Sequence, residues 1–411
     1  MESTEGIQIH TASIVSAFLK QNNIYDIDSF HELIDGIACL GVDFAERCNF
    51  FDLVPLVYKL DCCEILNFCY LISLQNKEIC LRIIDFGFVE FLVGKLNDYP
   101  INENLLFETL SNIAAINYKS HAVIIDIFHK YNDNKIGIAK YLNDNCICSI
   151  CKFLNSILLY HVNGSDVIEV IDTYSILLDE NFIMEECLIK AMNGIKLIIY
   201  QNEFPKQYFL DMKIIQKIIK LYNYSSNVAS NICICIGSFF ERFPYDIEIN
   251  IDLMFNDIYS TDKRLILSSS WCIGMIALKR QKMFINCNVL SYLNQLIIIF
   301  KDSSHEEKVN FFFPIVTLSR LCTINQHIIL AQNGITEIYK IILTTKVVFL
   351  LDLLLELINS LVDNSKELVI SFKESEIDLV LDEIVTSSDY EQLSHTRIPK
   401  MIQMIKKKLI N

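Results

Sequence analysis

The sequence predicts an all-α solenoid built from repeated helices, and three observations support this prediction. A short apolar phrase that ends in aspartate returns along the chain, at Asp85, Asp126 and Asp172. The first two copies are 126 − 85 = 41 residues apart, and the next step is 172 − 126 = 46 residues. Glycine and proline are scarce, with 11 and 6 copies in 411 residues, which favours long helices over tight turns. Hydrophobic residues make up 52% of the chain, as expected for stacked helices that are buried on two sides.

The length of the repeat narrows the fold class. Helical repeats of about 40–47 residues are typical of armadillo and HEAT solenoids, which present a long surface to an extended partner. Equivalent positions recur from Leu71 to Arg320 in six steps, (320 − 71)/6 ≈ 41.5 residues each. One further unit centres near Asn359. The spacing is therefore regular even where the residues differ.

The chain is predicted to be a single domain over residues 1–411. Residues 1–60 have a helical pattern but repeat poorly, which is typical of an N-terminal cap with one face in water. Residues 61–385 hold the repeats, and residues 386–411 form a C-terminal capping helix and basic tail whose lysines complement the helix end. Polar breaks between the units supply residues that cap helices. The breaks are at residues 97–100, 162–165, 223–226, 259–262 and 301–304.

Charge and hydropathy exclude several classes of protein. The acidic N-terminus has no basic segment of a secretory signal. The strongest apolar run, residues 347–358, contains Asp352 and Glu356, so it predicts a buried helix and no membrane span. A net charge of −15 argues against direct binding of nucleic acid and is compatible with a basic ligand.

The 15 cysteines are expected to be reduced thiols that pack as small core residues. The densest cluster is Cys146, Cys148 and Cys151, in which two members have the spacing of a zinc-binding pair. A structural zinc site needs four ligands, and no second pair follows, so we expect no metal. The sequence also lacks a phosphate-binding loop, a dinucleotide fingerprint and a nucleophile elbow. We therefore expect no enzyme activity and no cofactor.

Four short stretches resemble the armadillo repeats of the importin-alpha family. Phe107–Ala114 resembles that family's Trp-Ala-Leu-Ser-Asn-Ile-Ala signature, and Ser269–Met275 resembles a second copy. Ile83–Val89 looks like the phrase that opens a repeat, and Asn333–Ile335 looks like a shorter copy. The resemblance extends over residues 60–385 in spacing. It implies a right-handed armadillo-repeat superhelix, and the spacing gives about eight to nine repeats.

The resemblance also implies a binding site. In that family, tryptophan side chains hold lysine stems in a groove, and asparagines one helical turn later hold the peptide backbone. Here Trp271 keeps a tryptophan rung, and four asparagines remain in register. The peptide-binding residues implied are Glu108, Ser111, Asn112, Asn193, Asn227, Asn231, Trp271 and Met275. Apolar residues take further rung positions, at Leu154, Leu158, Val316 and Leu355.

The function that the resemblance implies is a nuclear import adaptor, present in cytoplasm and nucleus. It would bind basic nuclear localisation signal peptides of cargo proteins in a concave groove. Residues 1–60 hold only Lys20, Arg47 and Lys59 as firm cations and lack a recognisable importin-beta-binding segment. An importin-beta-type carrier would therefore be engaged in an unusual mode. The alternative is an armadillo-repeat scaffold for a different protein complex.

Overall fold

A computed structural model describes residues 4–60, 62–95, 103–132, 137–138, 146–179, 184–243, 247, 249–345, 347–386, 393 and 395–410. The regular elements in these ranges are helices, without strands, so the predicted all-α class is confirmed. The chain groups into two compact units, residues 1–219 and 220–411. We describe each unit by itself. A single domain, the number of repeats and their handedness stay predictions.

The first unit begins with the predicted N-terminal cap region and continues into the repeats. A 3₁₀ turn, Phe50–Leu53, connects its third and fourth helices. The helices are α1 (Thr4–Gln21), α2 (Ile27–Leu40), α3 (Val42–Arg47), α4 (Val54–Val57), α5 (Cys62–Gln75), α6 (Lys77–Ile84), α7 (Phe88–Lys95), α8 (Glu103–Ala114), α9 (Tyr118–Tyr131), α10 (Ile147–Ile157), α11 (Gly164–Asp179), α12 (Glu185–Tyr200), α13 (Lys206–Asp211) and α14 (Ile214–Lys220).

One set of helices in the first unit packs side by side, and we call its members the stacked helices. Among them α2 contacts α5, α5 contacts α8, α8 contacts α10, and α10 contacts α12. Helices from between them pack onto this layer, such as α9 on α8 and α11 on α12. Phe153 fills the core here, because its ring lies 5.7 Å from that of Phe107 and 5.4 Å from that of Phe128. This succession of contacts is that of an α-solenoid.

The second unit has the same organisation, with stacked helices α15, α17, α19, α22 and α25 that each contact the next. Two 3₁₀ turns, Asp257–Tyr259 and Gln281–Phe284, lie on either side of α17. The helices are α15 (Ser226–Arg242), α16 (Ile251–Asn256), α17 (Lys263–Lys279), α18 (Val289–Asp302), α19 (His305–Ser319), α20 (Ile324–Gln332), α21 (Ile335–Leu343), α22 (Val348–Asn364), α23 (Lys366–Glu374), α24 (Ile377–Thr386) and α25 (Ile398–Ile410).

Polar residues of the predicted breaks cap the stacked helices. Ser225 caps α15, because its Oγ accepts a hydrogen bond from the Val228 backbone N–H at 3.2 Å. Asp262 caps α17 in the same way. Ser304 caps α19 in a capping box that includes Glu307. These caps confirm the breaks predicted at 223–226, 259–262 and 301–304, whereas the break predicted at 97–100 lies outside the described residues.

The segment predicted to cap the C-terminal end contains the helix α25. Its apolar residues Ile402, Ile405 and Leu409 are buried, and the helix packs against α22. The strongest apolar run of the sequence forms most of α22, and its apolar residues from Leu350 to Ile358 are buried as predicted, whereas Val347, Val348 and Phe349 at its start are exposed. Within the described ranges, no helix combines the length and the apolar character that crossing a membrane requires.

Candidate functional site

The stacked helices of the second unit expose side chains at one equivalent position, counted from the residue that caps each helix. The caps of α15, α17, α19 and α22 are Ser225, Asp262, Ser304 and Val347. The partly exposed residues at 234 − 225 = 271 − 262 = 313 − 304 = 356 − 347 = 9 positions further on are Ile234, Trp271, Phe313 and Glu356. Side-by-side helices in the same register turn this position to one surface. We call these four residues the exposed row.

Trp271 of α17 is neither fully buried nor fully exposed. A Cβ atom added at Gly237 of α15 would come within 2.2 Å of the Trp271 ring. The ring therefore rests directly on the Gly237 backbone, where any larger residue would displace it. One face is supported by α15, and the remainder of the side chain reaches solvent. This geometry suits a platform for a ligand side chain.

Phe313 repeats this arrangement one helix further on. A Cβ atom added at Gly274 of α17 would meet the Phe313 ring at 3.1 Å. On the other side, the Phe313 ring stacks with that of Phe349 on α22, with centroids 6.2 Å apart and planes 28° from parallel. Phe349 is 51% exposed. Trp271, Phe313 and Phe349 thus place aromatic rings on three successive stacked helices.

The other residues implied for the second unit differ in exposure. Asn227 is exposed and Asn231 is half-buried, and the Asn231 amide donates to the Asn227 backbone oxygen at 2.8 Å. Met275 is only 6% exposed and belongs to the core. The expected peptide contact through Met275 is therefore corrected, because this position of α17 faces inward.

In the first unit, the structure brings Glu108 and Asn112 together with a cation of the same chain. Lys152 of α10 forms an ion pair with Glu108 of α8, and its Nζ also donates to Asn112 Oδ1 at 3.3 Å. Asn112 in turn donates to Ser73 Oγ at 3.2 Å, and Ser149 Oγ donates to Glu108 Oε1 at 3.3 Å. Glu108 and Asn112, two of the residues implied for peptide binding, are therefore already bound to a lysine of this protein.

Two further predicted residues of the first unit lie in different surroundings. Ser111 is 1% exposed, and its Oγ lies 2.6 Å from Ser156 Oγ, so the expected ligand contact through Ser111 is corrected. Asn193 of α12 is exposed. Its counterpart on α10 is Asn155, since 155 − 146 = 193 − 184 = 9 when both are counted from the caps Cys146 and Met184.

Sequence reasoning missed Asn155, Ile234, Phe313 and Phe349. Four of the rung positions that it assigned to α10, α19 and α22 are buried, at Leu154, Leu158, Val316 and Leu355. Their side chains cannot reach a ligand. A usable signal is present in the sequence, because counting from the cap residues Ser225, Asp262 and Ser304 places Phe313 beside Trp271. Counting by a mean repeat length does not place these two residues at equivalent positions.

Cys148 and Cys187 form a disulfide that joins α10 to α12, at a sequence separation of 39 residues. The expectation that all the cysteines are reduced thiols is corrected for this pair, because the packing of α10 against α12 brings the two sulfur atoms together. Cys146 and Cys151 of the same cluster take no part in a disulfide, and both are buried. No group of three side chains suited to a metal ion occurs in the part of the chain that the structure describes.

The charged groups around the exposed row are paired with one another. Lys263 Nζ lies 2.8 Å from Glu307, and this hydrogen bond, together with the Ser304 backbone, lowers the pKa of Glu307 to about 2. Arg320 Nη1 lies 3.1 Å from Glu356. Asp352 accepts two hydrogen bonds of 2.6 Å from Arg397, which raise the pKa of the Arg397 guanidinium. Lys408 of α25 donates hydrogen bonds to two residues of α22, to Asn359 at 2.8 Å and to Asp363 at 2.7 Å.

Comparison with known proteins identifies the fold but no family. No protein-family model matches the sequence, and no curated protein matches it. A crystal structure of an engineered protein, from the Northeast Structural Genomics Consortium, is similar at a TM-score of 0.67 and 13% sequence identity. The alignment covers 98% of this chain and 99% of that chain. At this identity the likeness concerns the fold alone.

Proposed function

We propose that this protein is a non-enzymatic armadillo-type scaffold that binds an extended segment of a partner protein. The observation that carries the proposal is the exposed row of the second unit, with partly exposed Trp271 and Phe313 at equivalent positions. A row at repeat spacing contacts successive parts of an extended chain, whereas it does not enclose a small substrate. The exposed amide of Asn310 on α19 can pair with the backbone of such a segment.

The direct test uses the fluorescence of Trp271, which is the only tryptophan in the protein. The full-length protein is titrated with three capped peptides of equal length: one lysine-rich, one acidic, and one uncharged and proline-rich. We expect a saturable change in emission with at least one peptide. The change should be lost in Phe313→Ala and retained in Tyr259→Ala, which removes an exposed aromatic ring outside the row.

Calorimetry on the same samples detects binding that leaves Trp271 unaffected. If none of the three peptides binds by either method at high peptide excess, the scaffold proposal fails. Binding that survives Phe313→Ala unchanged would also count against it, because the segment would then lie elsewhere.

A nuclear import adaptor for basic signals is the second candidate. It is favoured by the partly exposed Trp271 and by the net charge of −15, which attracts cationic peptides. The obstacle is Lys152, which pairs with Glu108 and Asn112 in the first unit. A lysine of a cargo signal would have to displace this internal lysine.

Lys152→Ala is therefore expected to strengthen binding of a lysine-rich peptide by on the order of tenfold, because it frees Glu108 for a charge-assisted hydrogen bond. Calorimetric titration measures the change. The matched control is Lys130→Ala, which breaks the ion pair with Glu90 in the same unit. Equal affinities for the wild type and Lys152→Ala would contradict the adaptor role of Glu108 and Asn112.

A further inference from the structure

The second unit has an exposed apolar end next to its aromatic rings. Val309 of α19 is 52% exposed, and Val348 and Phe349 of α22 are 45% and 51% exposed. The Phe349 ring stacks with Phe313, so this apolar patch is continuous with the exposed row. Contiguous apolar surface of this kind marks a binding site more often than single exposed residues do.

Three carboxylates near this surface are already held by cations of the same protein. Glu307 already pairs with Lys263, and Glu356 pairs with Arg320. Asp352 accepts hydrogen bonds from Nε and Nη2 of the Arg397 guanidinium. A lysine-rich segment would have to break these pairs, whereas an uncharged segment would leave them intact.

The spacing expected for equivalent side chains on neighbouring stacked helices matches one conformation of an extended ligand. Packed helices lie about 8–10 Å apart, so equivalent side chains on neighbouring stacked helices have about this separation. A polyproline II helix rises about 3.1 Å per residue with three residues per turn, which returns the same face every 9.3 Å or so. Every third residue of such a segment can therefore meet one ring, first at Trp271 and then at Phe313.

We infer that the second unit binds an uncharged, proline-rich segment of a partner protein in the polyproline II conformation. This inference rests on the proposed scaffold function and specifies its ligand. Proline rings and aliphatic side chains pack on Trp271, Phe313 and Phe349. The backbone carbonyls of a polyproline II helix have no internal partners, and the exposed Asn310 of α19 can donate to them.

The test compares capped peptides of equal length in a full-length protein titration: repeated Pro-Pro-Leu, a lysine-rich peptide and a Gly-Ser peptide. We expect the Pro-Pro-Leu peptide to bind on the order of tenfold more tightly than the other two. Its affinity should change little with added salt, because no ion pairs form. Tighter, salt-sensitive binding of the lysine-rich peptide would overturn the inference and leave the scaffold function standing.

Variants locate the site without disturbing the core. Phe349→Ala removes a largely exposed ring and should weaken binding of the Pro-Pro-Leu peptide about fivefold to tenfold. Val348→Asp places a charge in the patch and should weaken it similarly. Tyr259→Ala is the control and should leave the affinity unchanged. Equal affinity in all three variants would overturn the inference, and failure of every peptide to bind would remove the scaffold function with it.

Discussion

Gly194→Ala is expected to lower the stability of the first unit by about 1–3 kcal/mol. The added Cβ would lie 2.2 Å from the Tyr174 hydroxyl and 2.4 Å from Asn155 Oδ1. Tyr174 is fully buried and donates to Asn155 at 2.7 Å, so neither group can move aside without losing this bond. Alanine gains about 1 kcal/mol in a helix interior relative to glycine, which is less than the cost of the clash and the broken bond together.

The midpoint of urea unfolding, followed by circular dichroism, and amide exchange within α12 measure this loss. Gly94→Ala in α7 is the matched control, since its Cβ would lie 3.3 Å from the Tyr131 hydroxyl, and the 39% exposed Tyr131 side chain can relieve this close contact by a small shift, so little change is expected. Adding Tyr174→Phe to Gly194→Ala removes the closest atom and should recover part of the loss. A Gly194→Ala protein as stable as the Gly94→Ala control would show that α12 does not pack this closely on Tyr174.

Gly237→Ala is expected to push the Trp271 ring off α15, because the new Cβ would lie 2.2 Å from one ring atom and 2.7 Å from another. The ring is rigid but partly exposed, so the cheapest relief is rotation toward solvent. We expect the emission of Trp271 to shift to longer wavelength and the unfolding midpoint to fall by the equivalent of about 1–2 kcal/mol. Peptide binding to the exposed row should weaken in the same variant.

Fluorescence spectra and urea titrations of the purified variant test this prediction. Gly237→Ala combined with Trp271→Leu removes the clashing ring atoms, so its midpoint should recover while the fluorescence signal is lost. Unchanged emission and stability in Gly237→Ala would mean that Trp271 does not rest on Gly237. The support of this platform, and the register of the exposed row, would then need revision.

The proposed binding surface is harder to predict from the sequence than the fold class is. The average step of 41.5 residues places Val316 and Leu355 as rungs, but both are buried. The distances between the caps of the stacked helices vary, being 262 − 225 = 37, 304 − 262 = 42 and 347 − 304 = 43 residues. An error of one residue in the register moves a position by about 100° around the helix axis. Small differences in loop length therefore shift a predicted rung from the surface to the core.

The all-α class and the polar breaks at residues 223–226, 259–262 and 301–304 are predictable from the sequence alone. These features follow from local chemistry: apolar spacing at the helical period, few helix breakers, and hydroxyl or carboxylate groups at helix starts. Two contacts were not predictable in this way. Lys152 pairs with Glu108, 44 residues earlier in the chain, and Phe313 lies beside Phe349. Such pairs depend on the register and rotation of neighbouring helices, which are set by packing across the repeat and leave no local signal in the chain.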